Sequence, residues 1–199
     1  MRLVAFFFIA GVGLLLWLFV GRGLQEKLMV RRESDLAALC ETRLGRLAVA
    51  LRLYARDYEN VLPPAPTWMD ALESVVPPGQ RELVFHCPKV KDKEGKEGKE
   101  DYGYAFNAEA WIPEWQAPRW FPEMYPPEKV VLIYETTQKG RNRTGVGKDI
   151  PDPGRHQGKN YYLFADFTTM ALTPNEARRL MERGELLFKP MPRPPSRGP

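Results

Sequence analysis

An α+β fold, with a long N-terminal helix packed on a small antiparallel sheet, is predicted by three observations. A charge-free apolar run over residues 3–20 opens the chain. An apolar stripe at spacings of three and four then continues through Leu36, Leu39, Cys40, Leu44, Leu47, Leu51, Tyr54 and Tyr58. Short aromatic and β-branched runs, separated by turn residues, fill the second half.

The first run, at about 1.5 Å per residue, reaches the roughly 30 Å of a hydrocarbon core. It exceeds the ~7–15 apolar residues of a signal peptide, and no A-x-A-like cleavage site follows it. Residues 1–23 therefore read as a single-pass membrane stem, 24–188 as a head with its amphipathic helix, and 189–199 as a disordered proline-rich, basic tail. Asn60 and the Pro63-Pro64 pair end the long helix, because proline lacks an amide donor and disfavours the α region before it.

Thr67 with Asp70 resembles a capping box for a short helix over 68–76, stopped by Pro77-Pro78-Gly79. Strands are expected at 83–85, 102–106 and 130–134, followed by a hairpin of 161–165 with 168–172. Alternation puts Tyr161, Leu163 and Ala165 on one core face with Thr168, Met170 and Leu172. Residues 89–100, a run of Lys, Glu and Gly, read as a mobile loop. Thr173, Pro174 and Glu176 supply an N-cap, a first-turn proline and a capping glutamate for a helix to Arg183, closed by Gly184.

The net charge of +4 is spread over Lys–Glu alternations and the tail, so no nucleic-acid surface is expected. Gly140, Gly145 and Lys148 faintly suggest a phosphate loop, but Val146 holds the lysine position and Asp149-Ile150-Pro151 cannot open the required helix. No nucleotide site follows, and Lys139, Arg141, Arg143 and Lys148 read as a solvated basic loop.

Chemistry is sparse. His156 and Asp166 could form an acid/base pair with Glu135, but the only other histidine is His86 and no Cys/His spacing resembles a zinc site. No catalytic residue, metal or cofactor is expected, and Asp166 is assigned to bracing a tight turn. The aromatic segment 102–125, with Trp111, Trp115 and Trp120, supports an alternative as a membrane-tethered ligand-binding module. Cys40 and Cys87 suit one disulfide if the head is exported and two thiols if it is cytoplasmic. Arg22, Lys27, Arg31 and Arg32 after the stem favour a cytoplasmic head by the positive-inside bias.

The segment Arg155-His156 through Asn160 to Asp166 resembles the His-x9-Asp-Gly motif of prepilin-type proteins, relatives of type IV pilins and type II secretion pseudopilins. The resemblance extends to Cys40, Tyr54 to Tyr58, Leu62-Pro63-Pro64, Phe85-His86-Cys87-Pro88, Tyr102-Gly103-Tyr104, Asn107 and the strand ending at Glu135. It implies a pilin-like fold, an extracytoplasmic head, a non-catalytic structural role in the cell envelope, and partners among pilin-like or secretion-system proteins. An exported head in turn predicts a Cys40–Cys87 disulfide from the amphipathic helix to the end of the first strand. The chain departs from the family in two places. It lacks the glycine and Phe-Thr-Leu-Ile-Glu-like start of a prepilin cleavage site, and Phe167 replaces the glycine after Asp166, so a widened or different hairpin tip is expected.

Overall fold

The apolar run and the stripe after it form one continuous helix, α1 (Arg2–Asp57), about 84 Å long at the usual rise. The computed structural model describes residues 2–90, 101–112 and 117–192, with residues 2–24 as helical backbone only. Along α1, Leu28, Met29 and Val30 are exposed, and so are Leu39 and, just past the helix end, Tyr58 of the expected stripe, whereas Cys40, Leu44, Leu47, Leu51 and Tyr54 are buried at the predicted spacing. The helix ends through two left-handed residues, Glu59 and Asn60, and the Asn60 amide returns 2.7 Å to the Ala55 carbonyl. Among the described residues no helix is long and apolar enough to cross a membrane; the side chains of the expected stem lie outside that set.

The expected helix at 68–76 is α2 (Trp68–Leu72), but its capping differs. The Thr67 side chain makes no cap bond. Asn142, from a distant loop, accepts the Met69 amide at 2.8 Å and donates to Asp70 at 2.6 Å, replacing the local box. The expected strand at 83–85 is instead a helical turn, α3 (Arg81–Phe85). Leu83 is exposed while Val84 and Phe85 are both buried, a pairing of adjacent residues that a strand's alternation would not give. Arg81, Glu82 and Leu83 are good helix formers, and an apolar triplet alone does not separate strand from helix.

Among the described residues seven short strands follow: β1 (Tyr104–Asn107), β2 (Trp111–Ile112), β3 (Ala117–Pro118), β4 (Val131–Glu135), β5 (Arg143–Gly145), β6 (Asn160–Phe164) and β7 (Thr169–Leu172). The main sheet has the order β5-β1-β4-β6-β7 and is antiparallel except where β5 runs parallel to β1; β2 and β3 form a separate pair. The basic loop at 140–148 thus contains an edge strand, which its polar sequence concealed. It is also partly neutralised, since Arg141 pairs with Asp70 and Glu73, and Lys139 with Asp101.

One face of the sheet carries Phe106, Ile133, Tyr161 and Leu163 against α1. The other carries Ala105, Val131, Tyr134, Tyr162 and Phe164 against Leu186, Phe188 and Ala177 of α4 (Pro174–Glu182). Burial on both faces explains why β4 and β6 are buried throughout. The α4 capping box forms as expected, Thr173 accepting the Glu176 amide at 3.2 Å while the Glu176 carboxylate accepts from the Thr173 amide at 2.8 Å.

Two irregularities set side-chain direction. A bulge in β4 opposes Val131 and Ile133 to the successive residues Phe164 and Leu163, so one extra residue reverses the alternation beyond it. Ile133 therefore faces α1 and Tyr134 the far side, and Glu135 returns to the α1 face. The β6–β7 tip is the second. Tyr161 pairs with Ala171 and Leu163 with Thr169, so Met170 and Leu172 lie on the opposite face from that expected. The loop is three residues long, 165–167, with Phe167 itself left-handed at φ 68° rather than avoiding that region. Its ring stacks on Phe121 at 5.0 Å and lies under the Arg52 guanidinium, contacts that offset the roughly 1–2 kcal/mol conformational cost.

The tail is ordered at its start, where the Met191 amide donates to the Tyr125 carbonyl at 2.7 Å. Residues 193–199 and most of the expected 89–100 loop lie outside the described residues, although Lys89 pairs with Glu33 of α1.

Candidate functional site

Four chemically capable side chains from four places in the chain meet beneath the sheet. Cys40 comes from the start of the buried half of α1, Cys87 from just after α3, Glu135 from the end of β4, and His156 from the turn before β6. All four are buried, and their sulfur, oxygen and nitrogen donor atoms lie within 4.8 Å of one another.

Local structure delivers each of them. The β4 bulge turns Glu135 toward α1. Cys87 is seated by its amide, which donates to the Tyr102 carbonyl at 2.9 Å. Gly103 lies alongside at φ 79°, where an added Cβ would sit 2.9 Å from the Cys87 Cβ, so only glycine fits. His156 opens a tight turn in which Gln157 and Gly158 both have positive φ, closed by paired bonds between His156 and Lys159 at 2.9 and 3.0 Å. Asn160 is fully buried and braces this turn, its Oδ1 accepting the Arg155 amide at 3.1 Å and its Nδ2 donating to the Pro151 carbonyl at 2.8 Å. Arg155 donates to the carbonyls of Gly103 and Thr136, tying the turn to β1 and to the end of β4.

One oxygen is the focus. Glu135 Oε1 lies 2.8 Å from His156 Nε2, 3.2 Å from Cys87 Sγ and 3.3 Å from Cys40 Sγ. Oε2 accepts the Tyr161 amide at 3.0 Å. The two sulfurs are 3.6 Å apart as unbonded thiols, and Cys40 Sγ is 3.0 Å from the Tyr104 hydroxyl. Their adjacency is the one the expected disulfide requires; the bond itself, about 2.05 Å long, is not present.

Burial disfavours charge on every member, and the partners decide the outcome. Burial opposes the Glu135 carboxylate, but its hydrogen bond with His156 and the imidazolium charge outweigh that and hold it below the usual carboxylate value. Burial likewise opposes the His156 imidazolium, while Cys87 and Glu135 raise it to about 9. Burial pushes the Cys40 thiol far up. Cys87 resists burial through its hydrogen bonds with Cys40 and His156 and is held down at about 7. The Tyr104 phenol is pushed up, first by burial and then by the charges around it.

The disfavoured pairing of His156 with Asp166 does not occur. Asp166 sits at the exposed β6–β7 tip, where Oδ1 accepts from the Thr168 amide at 2.9 Å and its hydroxyl at 2.6 Å, the turn-bracing role the sequence suggests. The His86 ring packs against that of Tyr102, tilted by 30° with centroids 4.2 Å apart. Of the aromatic segment, Tyr104 and Phe106 are core residues and Trp111 is half-buried. Trp120 is exposed at 49 %, with its indole nitrogen donating to the Glu59 carbonyl at 3.1 Å, and Trp115 lies outside the described residues. The four-residue set escaped sequence reading because its members come from separate elements with no ligand spacing between neighbours. The only available signal was the pairing of two buried-type cysteines with a buried-strand glutamate.

No family model, characterised protein or solved structure matches the chain.

Proposed function

We propose that this chain is a membrane-anchored, pilin-like structural protein of the cell envelope, with an extracytoplasmic head and no catalytic role. The observation that carries the reading is α1, whose later half is built into the head while Leu28, Met29 and Val30 leave the head uncovered on the way to the apolar N-terminal run. That division suits a stem that joins a membrane or neighbouring stems at one end and a folded head at the other. The α+β head and the Arg155-to-Asp166 segment add the prepilin-type resemblance. Burial of Glu135 and His156 supports a structural role, because a general base must come within about 3 Å of the group it deprotonates.

The full chain should remain with membranes through an alkaline carbonate wash. Protease added outside spheroplasts should digest the head without permeabilisation. Recovery in the soluble fraction would overturn the anchor, and protection of the head until lysis would overturn its export.

A further inference from the structure

We infer that Cys40, Cys87, Glu135 and His156 form a closed, structural zinc site that locks α1 to the sheet, with both cysteines held as zinc thiolates in place of the disulfide that an exported head would otherwise predict. The first support is metric. With Zn–S near 2.3 Å and Zn–N or Zn–O near 2.0–2.2 Å, the edges of a tetrahedron are about 3.8 Å between sulfurs, about 3.6 Å from sulfur to nitrogen or oxygen, and about 3.4 Å from nitrogen to oxygen. The corresponding separations are 3.6 Å for the sulfurs, 3.5 Å from Cys87 Sγ to His156 Nε2, 3.2 and 3.3 Å from the sulfurs to Glu135 Oε1, and 2.8 Å from that oxygen to the imidazole. Five of the six edges thus fall about 0.1–0.6 Å short of those values, and the sixth, Cys40 Sγ to His156 Nε2, is within 4.8 Å, so the four donor atoms already gather about one centre that small shifts would open to the ion.

The second support is hydrogen-bond capacity. Three donors compete for Glu135 Oε1, an oxygen with two lone pairs, so in the protonated cluster one of them must turn elsewhere, as Cys40 can toward Cys87 Sγ or the Tyr104 hydroxyl. A divalent ion resolves the conflict: the thiol protons and the proton on His156 Nε2 leave to solvent, and each donor atom turns its lone pair to the centre. Two thiolates, one imidazole and one carboxylate suit zinc's borderline softness and four-coordinate preference. All four ligands are buried and none leaves a position for substrate, which separates a structural from a catalytic zinc.

Two of the ligands have outer-shell partners, whereas His156 Nδ1 is buried without one. The Tyr104 hydroxyl lies 3.0 Å from Cys40 Sγ, and the Tyr161 amide orients Glu135 through Oε2 at 3.0 Å. Two thiolates and a carboxylate exceed the ion's charge by one, and the nearby Arg155 guanidinium, which already favours the Glu135 carboxylate, opposes that excess. The site joins residues up to 116 positions apart, Cys40 and His156, which no local interaction in the chain can do.

The test uses the full chain purified without chelator. Its metal content is read by inductively coupled plasma mass spectrometry, and its thiols are counted by alkylation before and after zinc is stripped. About one zinc per chain is expected, with both thiols protected until the ion is removed. Cobalt(II) exchanged into the unaltered chain should give thiolate-to-metal charge transfer and the intense visible bands of tetrahedral cobalt. This readout stands even if ligand variants misfold. Cys87→Ser and His156→Ala should lose stoichiometric zinc, whereas Tyr104→Phe, which removes only a positioning hydroxyl, should keep it with affinity lowered about 10-fold or more in chelator competition. A Cys40–Cys87 disulfide in the isolated protein, free thiols with zinc well below one per chain, or a cobalt spectrum without the thiolate band would each overturn the site.

Discussion

His156 and Asp166 bound the same short segment of chain, but they are held by different kinds of interaction. His156 is 2 % exposed and meets residues brought from α1, from the end of α3 and from β4. Asp166 is at a solvent-facing tip, where its side chain bonds only to Thr168, two residues away, while its backbone amide donates to the Pro127 carbonyl at 3.1 Å. The first is a tertiary lock, formed only when the whole head is assembled. The second is a local brace that can form with the hairpin alone. In a buried, low-dielectric cluster an orphaned partner costs its full desolvation, while at the tip water replaces a lost bond. A motif read as one unit thus joins two roles whose energetic weights should differ severalfold.

The largest break in that contrast is Glu135→Ala. It leaves His156, Cys40 and Cys87 without their shared acceptor, and the loss of one member of a buried charged pair typically costs about 3–5 kcal/mol. Urea denaturation of the full chain should show that decrease. A loss under about 1 kcal/mol would mean that the cluster does not hold α1 to the sheet. Gly103→Ala comes next. A left-handed non-glycine residue costs about 1–2 kcal/mol, and the new Cβ also presses on Cys87, so about 2 kcal/mol is expected together with faster alkylation of Cys87. Unchanged thiol reactivity would show that Gly103 does not seat that cysteine.

What the sequence disclosed follows the same line between local and assembled structure. The α1 stripe, the α4 capping box, β4, and the β6–β7 hairpin to within a residue were legible because periodicity and capping are encoded over a few neighbours. The strand expected at 83–85 was a helical turn because an apolar triplet carries no period, and β5 was missed because a three-residue edge strand needs no apolar pattern. The hairpin's facing residues were reversed by one extra loop residue at Phe167. Least legible was the cluster. Its neighbours stand 47, 48 and 21 residues apart, and Glu135 faces it only because of a bulge with no signature in the sequence.

Asp166→Ala measures the local side of the comparison directly. By analogy with the loss of a capping side chain, about 1 kcal/mol should go, with zinc content and thiol protection unchanged. A cost approaching that of Glu135→Ala would tie the tip to the core and erase the distinction drawn between the two ends of the motif.

The smallest effect belongs to another local brace, the capping box that starts α4. Glu176 is fully exposed, and the hydrogen bond from the Thr173 backbone, then that from its side chain, hold its carboxyl below the usual glutamate value. A group whose folded value is depressed contributes stability above its unfolded value, near 4.3, and loses it as the pH falls through the folded one. Glu176→Gln keeps an acceptor for the Thr173 amide but removes the titration. The midpoint difference between the unaltered chain and this variant should therefore be constant near neutrality and narrow progressively below about pH 4.3. Added salt should shrink it further, because the site is open to solvent. A difference that stays flat down to pH 3 would show that the carboxylate charge adds nothing to the cap and that only its hydrogen-bonding shape matters.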